Sequence, residues 1–340
     1  MNLATFSSDD VVGKSVIFRA DLDVPLDGDE IKDATRLDKL MPSLSLLKDS
    51  AAKIVIIGHI GRPEGENSSL STKKLQEYFS GKLEADIEFL QYQPLGELVD
   101  KVVASENKFV LIDNLRYWKE EEANDGVFAE ELAKMGEVFV NDAFASSHRS
   151  HASIVGIPKY LSHFAGVHFA KEVKNLSEVL NNPERPLVVL LSGVKKDKLD
   201  YLDPFINLAD RVLVGGRLPE FMDEDYHNDK VMVAGLIQDK EDITIHSIEN
   251  FEKEIKNAKT VVVSGPLGKF EEEGHRQGTK QVFGAIVNLE AFKVAGGGDT
   301  IAAINLLGLS EKFDWISIGG GAMLEFLTKG TLPGIEALEK

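Results

Sequence analysis

Short apolar runs rich in β-branched residues recur along the chain. Between them lie stretches whose apolar residues return every three or four positions. The runs fall at residues 15–22, 53–60, 109–115, 138–143, 186–193, 212–216, 260–265, 292–298 and 315–321. Between the first two, Leu37, Leu40, Met41, Leu44 and Leu47 repeat at helical spacing, with Asp33 placed to cap the helix. Runs apolar at nearly every position suit strands covered on both faces, and their alternation with helices implies βαβ units and parallel sheets. The runs are too numerous for one small sheet, so the pattern predicts two. Residues 161–182 read as one helix, with Phe169, Val173, Leu176 and Leu180 along a stripe. Asn181-Asn182-Pro183 ends it, and Arg185-Pro186 opens the next strand. The predicted fold class is α/β, with two doubly wound (Rossmann-like) parallel-sheet domains joined by a helix across a substrate cleft. Residues 1–165 would form the first domain, 166–182 the connecting helix and 183–324 the second domain.

A chain of 340 residues fits two domains better than one core, and 43% hydrophobic with 28% charged residues is a globular balance. The formal net charge is −18. That field repels nucleic acid and anionic membranes, so any anionic ligand needs a local concentration of positive charge. Without cysteine there is no disulfide, thiolate nucleophile or Cys-ligated metal. The first ten residues lack the basic and apolar stretches of a signal peptide, and no run approaches the ~20 apolar residues of a membrane span, so a cytoplasmic protein is expected.

Ligands of open parallel sheets sit beyond the carboxyl ends of the strands. The first strand runs into Arg19-Ala20-Asp21-Leu22-Asp23-Val24-Pro25, and the second ends at Gly58-His59-Ile60-Gly61-Arg62-Pro63. Later ends carry Asp113-Asn114-Leu115-Arg116-Tyr117 and Asn141-Asp142-Ala143-Phe144, the latter followed by Ser147-His148-Arg149-Ser150-His151. Only nine residues are arginine, and five of these (Arg19, Arg36, Arg62, Arg116 and Arg149) precede residue 150. A guanidinium fork matches phosphate and carboxylate geometry, so this placement suggests a small polyanionic ligand. Five unrelated surface ion pairs would account for position alone equally well.

The second half differs. Lys195, Lys196 and Lys198 follow one strand, while Gly296-Gly297-Gly298-Asp299-Thr300 and Gly319-Gly320-Gly321 each lead from a strand into a helix. Such a turn exposes backbone N–H groups at the positive end of the helix dipole, which suits phosphate, and Asp299 beside it could take Mg²⁺. A tight turn with close packing explains either triglycine by itself; two of them with lysines nearby favour a nucleotide site. There is no GxxxxGK[ST], GxGxxG or GxSxG motif, which removes support for Walker ATPases, Rossmann dehydrogenases, protein kinases and serine hydrolases. His148 and His151 have metal-ligand spacing but no further ligand nearby, and the runs 119–122 and 336–340 read as solvated faces.

Taken in order, these segments resemble the phosphoglycerate kinase family. Residues 19–26 are similar to the motif RVDFNVP, 58–63 to SHLGRP, 113–117 to ENLRF and 141–153 to NDAFGTAHRAHAS. Residues 192–198 resemble GGAKVSDK with one residue missing, 264–271 NGPMGVFE, 296–300 GGGD[ST], 317–322 STGGGA, and 329–338 the closing KxLPGxxAL. The resemblance implies a 3-phosphoglycerate site lined by Asp21, Asp23, Arg36, His59, Arg62, Arg116 and Arg149, with Arg19 beside it. It implies a nucleotide site with Lys195, Lys198, Glu271, Gly296, Gly297, Gly298, Asp299 and Thr300, with Glu271 on ribose and Asp299 on Mg²⁺. Residues 325–340 would return to the first domain.

Several positions depart from the family pattern. Asp23 stands where Asn is usual, and Gly58, Ser264 and Ile318 replace Ser, Asn and Thr. The stretch 217–259 is short for the family, which implies a shortened member with part of its adenine-pocket wall missing. The implied reaction is phosphoryl transfer between 1,3-bisphosphoglycerate with ADP and 3-phosphoglycerate with ATP, a step of glycolysis. The acceptor carboxylate is already ionised, so neither a general base nor a nucleophilic side chain is needed, only positioning and charge neutralisation. Arg36, Lys195 and the N–H groups of Gly298, Gly320 and Gly321 would supply these, with hinge closure of a monomer excluding water. A related kinase for another small carboxylate, or a non-catalytic nucleotide- or ligand-binding paralogue, are the alternatives.

Overall fold

The computed structural model describes residues 3–339, which divide into two compact units. The first unit runs to Val173 and takes up the chain again from Thr331. It begins with α1 (Ser8–Val11), β1 (Ser15–Arg19), a small hairpin of β2 (Leu26–Asp27) and β3 (Glu30–Ile31), α2 (Thr35–Ser50) and β4 (Lys53–Ile57). There follow α3 (Gln76–Leu83), β5 (Ile87–Leu90), α4 (Leu95–Ala104), β6 (Phe109–Ile112), α5 (Lys119–Glu122), α6 (Gly126–Ala133), β7 (Val138–Asn141) and β8 (Ser162–Ala165). Its sheet is ordered β5-β6-β4-β1-β7-β8, and every pairing is parallel. The central strands are apolar throughout because both faces are covered; Phe18, Ile56 and Leu111 pack with Leu40, Leu44 and Leu47 of α2. Asp33 acts at the head of α2 as expected, although from one residue further out: its carboxylate accepts the Thr35 N–H at 2.8 Å.

The helix α7 (Val167–Asn181) contains the boundary between the units, which falls after Val173. The second unit then carries β9 (Leu187–Leu191), α8 (Leu202–Leu208), β10 (Arg211–Val214), β11 (Val231–Val233), α9 (Ile245–Ile255), β12 (Thr260–Ser264), α10 (Gln277–Val287), β13 (Phe292–Gly296), α11 (Gly298–Leu306), β14 (Trp315–Ser317) and α12 (Gly320–Lys329). Its sheet is ordered β11-β10-β9-β12-β13-β14, again all parallel. The chain ends on α13 (Pro333–Glu336), which belongs to the first unit and whose Gly334 N–H donates to the Ser147 carbonyl at 2.9 Å.

All nine strands predicted from apolar runs are present, each ending one to four residues before its run does, because the last residues of each run turn into the loops at the strands' carboxyl ends. The expected single helix over 161–182 is corrected: residues 162–165 form β8, paired with β7, and the helix begins at Val167. Gly166 marks the break, since a Cβ there would overlap the Asp142 carboxylate. That carboxylate accepts the Phe169 N–H at 2.7 Å and the Ser43 hydroxyl at 2.7 Å, while Ser43 Oγ accepts the Val167 N–H at 2.8 Å. The first turn of α7 is therefore capped by side chains far away in sequence, a signal that local reading lacks.

Glycine requirements are strictest where β9 and β12 end side by side. Gly265 has φ +104°, and a Cβ would overlap the Ser192 carbonyl. Gly265→Ala should therefore destabilise the second unit by roughly 3 kcal/mol or more, combining backbone strain with a clash. Urea unfolding followed by circular dichroism should show it; a loss below about 1 kcal/mol would contradict this placement of the loop.

Candidate active site

In the first unit the carboxyl ends of β1, β4, β6 and β7 deliver most of the arginine-bearing loops to one face. Arg19, the last residue of β1, is fully buried. Its Nε donates to Ser153 Oγ at 2.8 Å, Nη1 to the Ala20 carbonyl at 2.5 Å and Nη2 to His59 Nδ1 at 2.9 Å. All three nitrogens are thus engaged by the protein, and Arg19 supports the site from beneath rather than lining it. Asp21 is likewise committed, accepting the Ala145 N–H at 2.8 Å and the Ser146 hydroxyl at 2.9 Å. It pins the loop that leads to Arg149.

Asp23 resolves its own departure from the family motif. Its Oδ1 accepts the Gly61 N–H at 2.9 Å, a task that needs a carbonyl-type oxygen and that an amide performs equally well. Its backbone carbonyl accepts Arg36 Nη1 at 2.6 Å, and that guanidinium stands 3.9 Å from the Asp23 carboxylate, so the extra charge has a cation beside it. Gly58 also has a local reason: a Cβ would meet Leu22 at 2.6 Å and the Ala20 carbonyl at 2.8 Å.

Arg116 Nη1 donates to the Gly61 carbonyl at 2.5 Å. Its Nε is 3.0 Å from Glu122 without hydrogen-bond alignment, and its Nη2 is buried with no hydrogen-bond partner among the described residues. Arg149 is half-buried with Nε 3.3 Å from His148 Nε2, and Arg62 is exposed. A buried donor left open within a group of cations is an anion site in waiting. Burial and the neighbouring Arg149 push Arg116 down to about 10. Burial, then the surrounding arginines, hold His59 well below its ordinary range and push His151 down to about 3.

The run 119–122 is the solvated face that its composition suggests except at Glu121. Glu121 is fully buried, accepting the Ser153 N–H at 2.9 Å and the Ser153 hydroxyl at 2.5 Å. Burial raises its pKa against the pull of Arg19. The tail 336–340 is corrected in part: Leu338 is buried, and Lys340 lies outside the described residues. Asn114 is another residue missed as a positioner; its amide donates to the Ile60 and Leu70 carbonyls at 2.6 and 2.9 Å, holding the loop that carries His59 and Arg62. No cluster of three or more His, Cys, Asp or Glu capable of holding a metal occurs among the described residues, so His148 and His151 gain no third ligand.

In the second unit a cavity of about 440 Å³ opens at the ends of β9, β10 and β12. Gly193, Gly216 and Leu267 line it, together with Phe270, Glu271 and Asp299. The stretch 217–259 contributes Arg217, Lys240 and Glu241 to its wall, so this side of the cavity is furnished. Lys198 Nζ donates to the Ser192 carbonyl at 2.6 Å and the Ser264 carbonyl at 3.3 Å, and burial pushes it down to about 8 against the pull of Asp299. Lys195 and Glu271 are exposed.

The triglycine turns combine both readings. Gly296 packs on Met323, and a Cβ on Gly320 would overlap Gly297, so these positions are small for packing. Gly298 and Gly321 are exposed, Gly298 with open space where a Cβ would lie. Thr300 is buried, its hydroxyl donating to the Gly296 carbonyl and accepting the Gly265 N–H, each at 2.8 Å; it ties two strand ends together rather than facing a ligand.

The family model for phosphoglycerate kinase matches residues 7–229 and 221–330. The chain is 34% identical to the phosphoglycerate kinase of Borreliella afzelii over 380 aligned positions, covering 96% of this chain and 97% of that one. It is 34% identical to that of Leptospira biflexa, covering 99% and 98%. Among solved structures, phosphoglycerate kinase from Coxiella burnetii superposes with a TM-score of 0.83 at 26% identity and 99% coverage of both chains. That from Pyrococcus horikoshii superposes at 0.84, 26% identical, with 98% coverage of both.

The depressed histidines make a pH prediction. A base whose folded pKa lies below its ordinary value of 6.5 leaves stability untouched above that pH and erodes it as pH falls below. Imidazole NMR should show the His59 and His151 rings neutral from about pH 8 to 5, with unfolding free energy declining below ~6.5. A titration midpoint near 6.5 for either ring would contradict the buried, cation-flanked placement.

Proposed function

Because the chain belongs to the phosphoglycerate kinase family, and is thereby a phosphotransferase of glycolysis with a carboxyl acceptor, we propose that the basic site of its first unit takes 3-phosphoglycerate or 1,3-bisphosphoglycerate. In the same proposal, the cavity of the second unit takes ATP or ADP. The observation that carries the substrate reading is the buried, open Nη2 of Arg116 amid Arg149, Arg19, His59 and His151, in a protein of net charge −18. Such a spot favours a small polyanion and no neutral metabolite. Arg62 and Arg149 would hold the stable phosphate, Arg36 the carboxyl end where the phosphoryl group is exchanged.

For the nucleotide, the reading rests on the glycine-lined cavity and on the exposed N–H groups at Gly298 and Gly321. Lys195 is free to reach a phosphate, Lys198 braces the loop that carries it, and Glu271 stands in the cavity wall where a ribose would be bonded. The family typically uses Mg-ATP, and one exposed carboxylate, Asp299, fits an ion that usually takes one or two carboxylates and otherwise phosphate oxygens. When bound there, Mg²⁺ neutralises phosphate charge. The chain's own groups orient the two ligands and balance the moving phosphoryl charge, and the productive complex excludes the water that would hydrolyse an acyl phosphate. No helix among the described residues is long and apolar enough to cross a membrane.

A coupled assay with MgATP and 3-phosphoglycerate tests the proposal, and Arg36 is the residue on which it is most exposed. Arg36→Ala should lower kcat roughly 10²–10³-fold, as loss of one preorganised electrostatic donor does. Arg62→Ala and Arg149→Ala should chiefly raise KM for 3-phosphoglycerate. Wild-type inactivity with this pair would overturn the substrate assignment, and a near-normal kcat in Arg36→Ala would remove Arg36 from the transfer step.

A further inference from the structure

Glu121 has no role in the phosphoryl transfer, yet it is a fully buried carboxylate directly beneath the basic site. Its surroundings leave few choices about where hydrogens sit. A guanidinium can only donate, so Arg19 Nε–H must point at Ser153 Oγ across 2.8 Å. The serine has one hydrogen left to give, and it goes to Glu121 Oε1 at 2.5 Å, while the Ser153 N–H goes to the other carboxylate oxygen at 2.9 Å. On the other side of the same guanidinium, Nη2–H must point at His59 Nδ1 across 2.9 Å. That nitrogen accepts, so a neutral His59 ring carries its proton on Nε2.

We propose that Glu121 is a positioning residue: through Ser153 it holds the Arg19 guanidinium against His59 Nδ1, and Arg19 so held locks His59 as the Nε2–H tautomer, a neutral hydrogen-bond donor towards the substrate. The hydrogen bonds run outward from Arg19, which donates to His59 Nδ1 on one side and, on the other, to Ser153 Oγ, whose hydroxyl donates in turn to Glu121, so the carboxylate acts by holding the guanidinium in place. Free imidazole exchanges between two neutral tautomers, one of which would present a lone pair to an anionic oxygen and repel it. The lock removes that state. Ser153 gains a reason to be a hydroxyl residue, and Arg19 a reason to be an arginine that never meets ligand.

A second feature fits the same network. His151 Nδ1 lies 3.8 Å from Glu121 Oε1, buried and without a hydrogen bond, and its ring sits 6.4 Å from that of His59. Glu121 therefore lies beside His151 as well as being joined through Ser153 to Arg19, and neutralising it alters both. Other ionisable groups facing His59 are Arg116 and Arg149, both cations, which reinforce its neutrality without choosing between tautomers.

The proposal rests on the reading of His59 as a substrate-site residue, and the test separates the two. Full-length protein with ¹⁵N-labelled histidine is compared with Glu121→Gln and Ser153→Ala by long-range ¹H–¹⁵N correlation, which distinguishes the tautomers directly. Ser153→Ala keeps both charges and removes only the bridging hydroxyl, so it carries the test if the glutamine variant does not fold. Wild type should show His59 as a single Nε2–H tautomer. A folded variant should show mixed tautomers, a KM for 3-phosphoglycerate raised about tenfold and kcat within about twofold, the split expected for lost ground-state binding. A single Nε2–H tautomer persisting in the variants overturns the proposal whatever KM does, since a merely structural defect could raise KM but would leave the tautomer alone. His59→Ala with unchanged KM would instead remove His59 from the substrate site, leaving the tautomer result to be judged on the spectra.

Discussion

A guanidinium taken wholly out of water must find a hydrogen-bond acceptor for nearly every N–H and a countercharge nearby, or the fold does not tolerate it. Arg19 meets that demand at the end of the central strand of the first unit, and the surroundings are arranged by how it does so. Ser153 and Glu121 come from the long connection after β7 and from the short helix α5, and His59 from the loop after β4. One buried cation thereby joins three loops, and the arginines that meet solvent are carried on those same loops or their neighbours. Concentrating positive charge in a chain of net charge −18 depends on this arrangement, because a basic cluster without a rigid base would relax outward into water.

The second unit meets the proposed ligand with smaller residues. Backbone N–H groups at a helix N-terminus suit phosphate oxygens, and presenting them requires the chain itself to come close. At the ends of β9, β12 and β13, glycines let strands and turns come together more closely than any Cβ would allow, and the Thr300 hydroxyl stitches two of those ends to each other. Lys198 braces the first of these loops through two carbonyls and is thereby drawn out of water, while Lys195 stays outside. Close packing and exposed backbone are thus divided between neighbouring glycines of one motif.

Much of this was legible in the residues. Strands covered on both faces are apolar at every position and stood out as runs; β5, β8 and β11, all at sheet edges and only partly buried, did not. The ligand-side loops were legible because arginine, lysine and triglycine are unusual at strand ends. Glu121 was not, because Lys-Glu-Glu-Glu looks solvated by composition and its burial is decided by Arg19, about a hundred residues earlier in sequence. Asp142 escaped for the same reason: its partners Ser43 and Phe169 are distant in sequence, and only Gly166, whose Cβ would strike that carboxylate, hints at it. Arg19 itself was recognised as belonging to the site but not as lying beneath it, since a motif does not report which of its members face the ligand.

The central claim is that the arginines of the first unit, and not those of the second, form the receptor for the three-carbon acid. The chain has only nine arginines, so ¹⁵N-arginine labelling gives a spectrum with one Nε signal for each. Titration with 3-phosphoglycerate in the absence of nucleotide is the most direct test. Arg36, Arg62, Arg116 and Arg149 should shift in a single saturable transition, with Arg185, Arg211, Arg217 and Arg276 unmoved. Shifts confined to the second group, or no saturable shift of Arg116, would contradict the account.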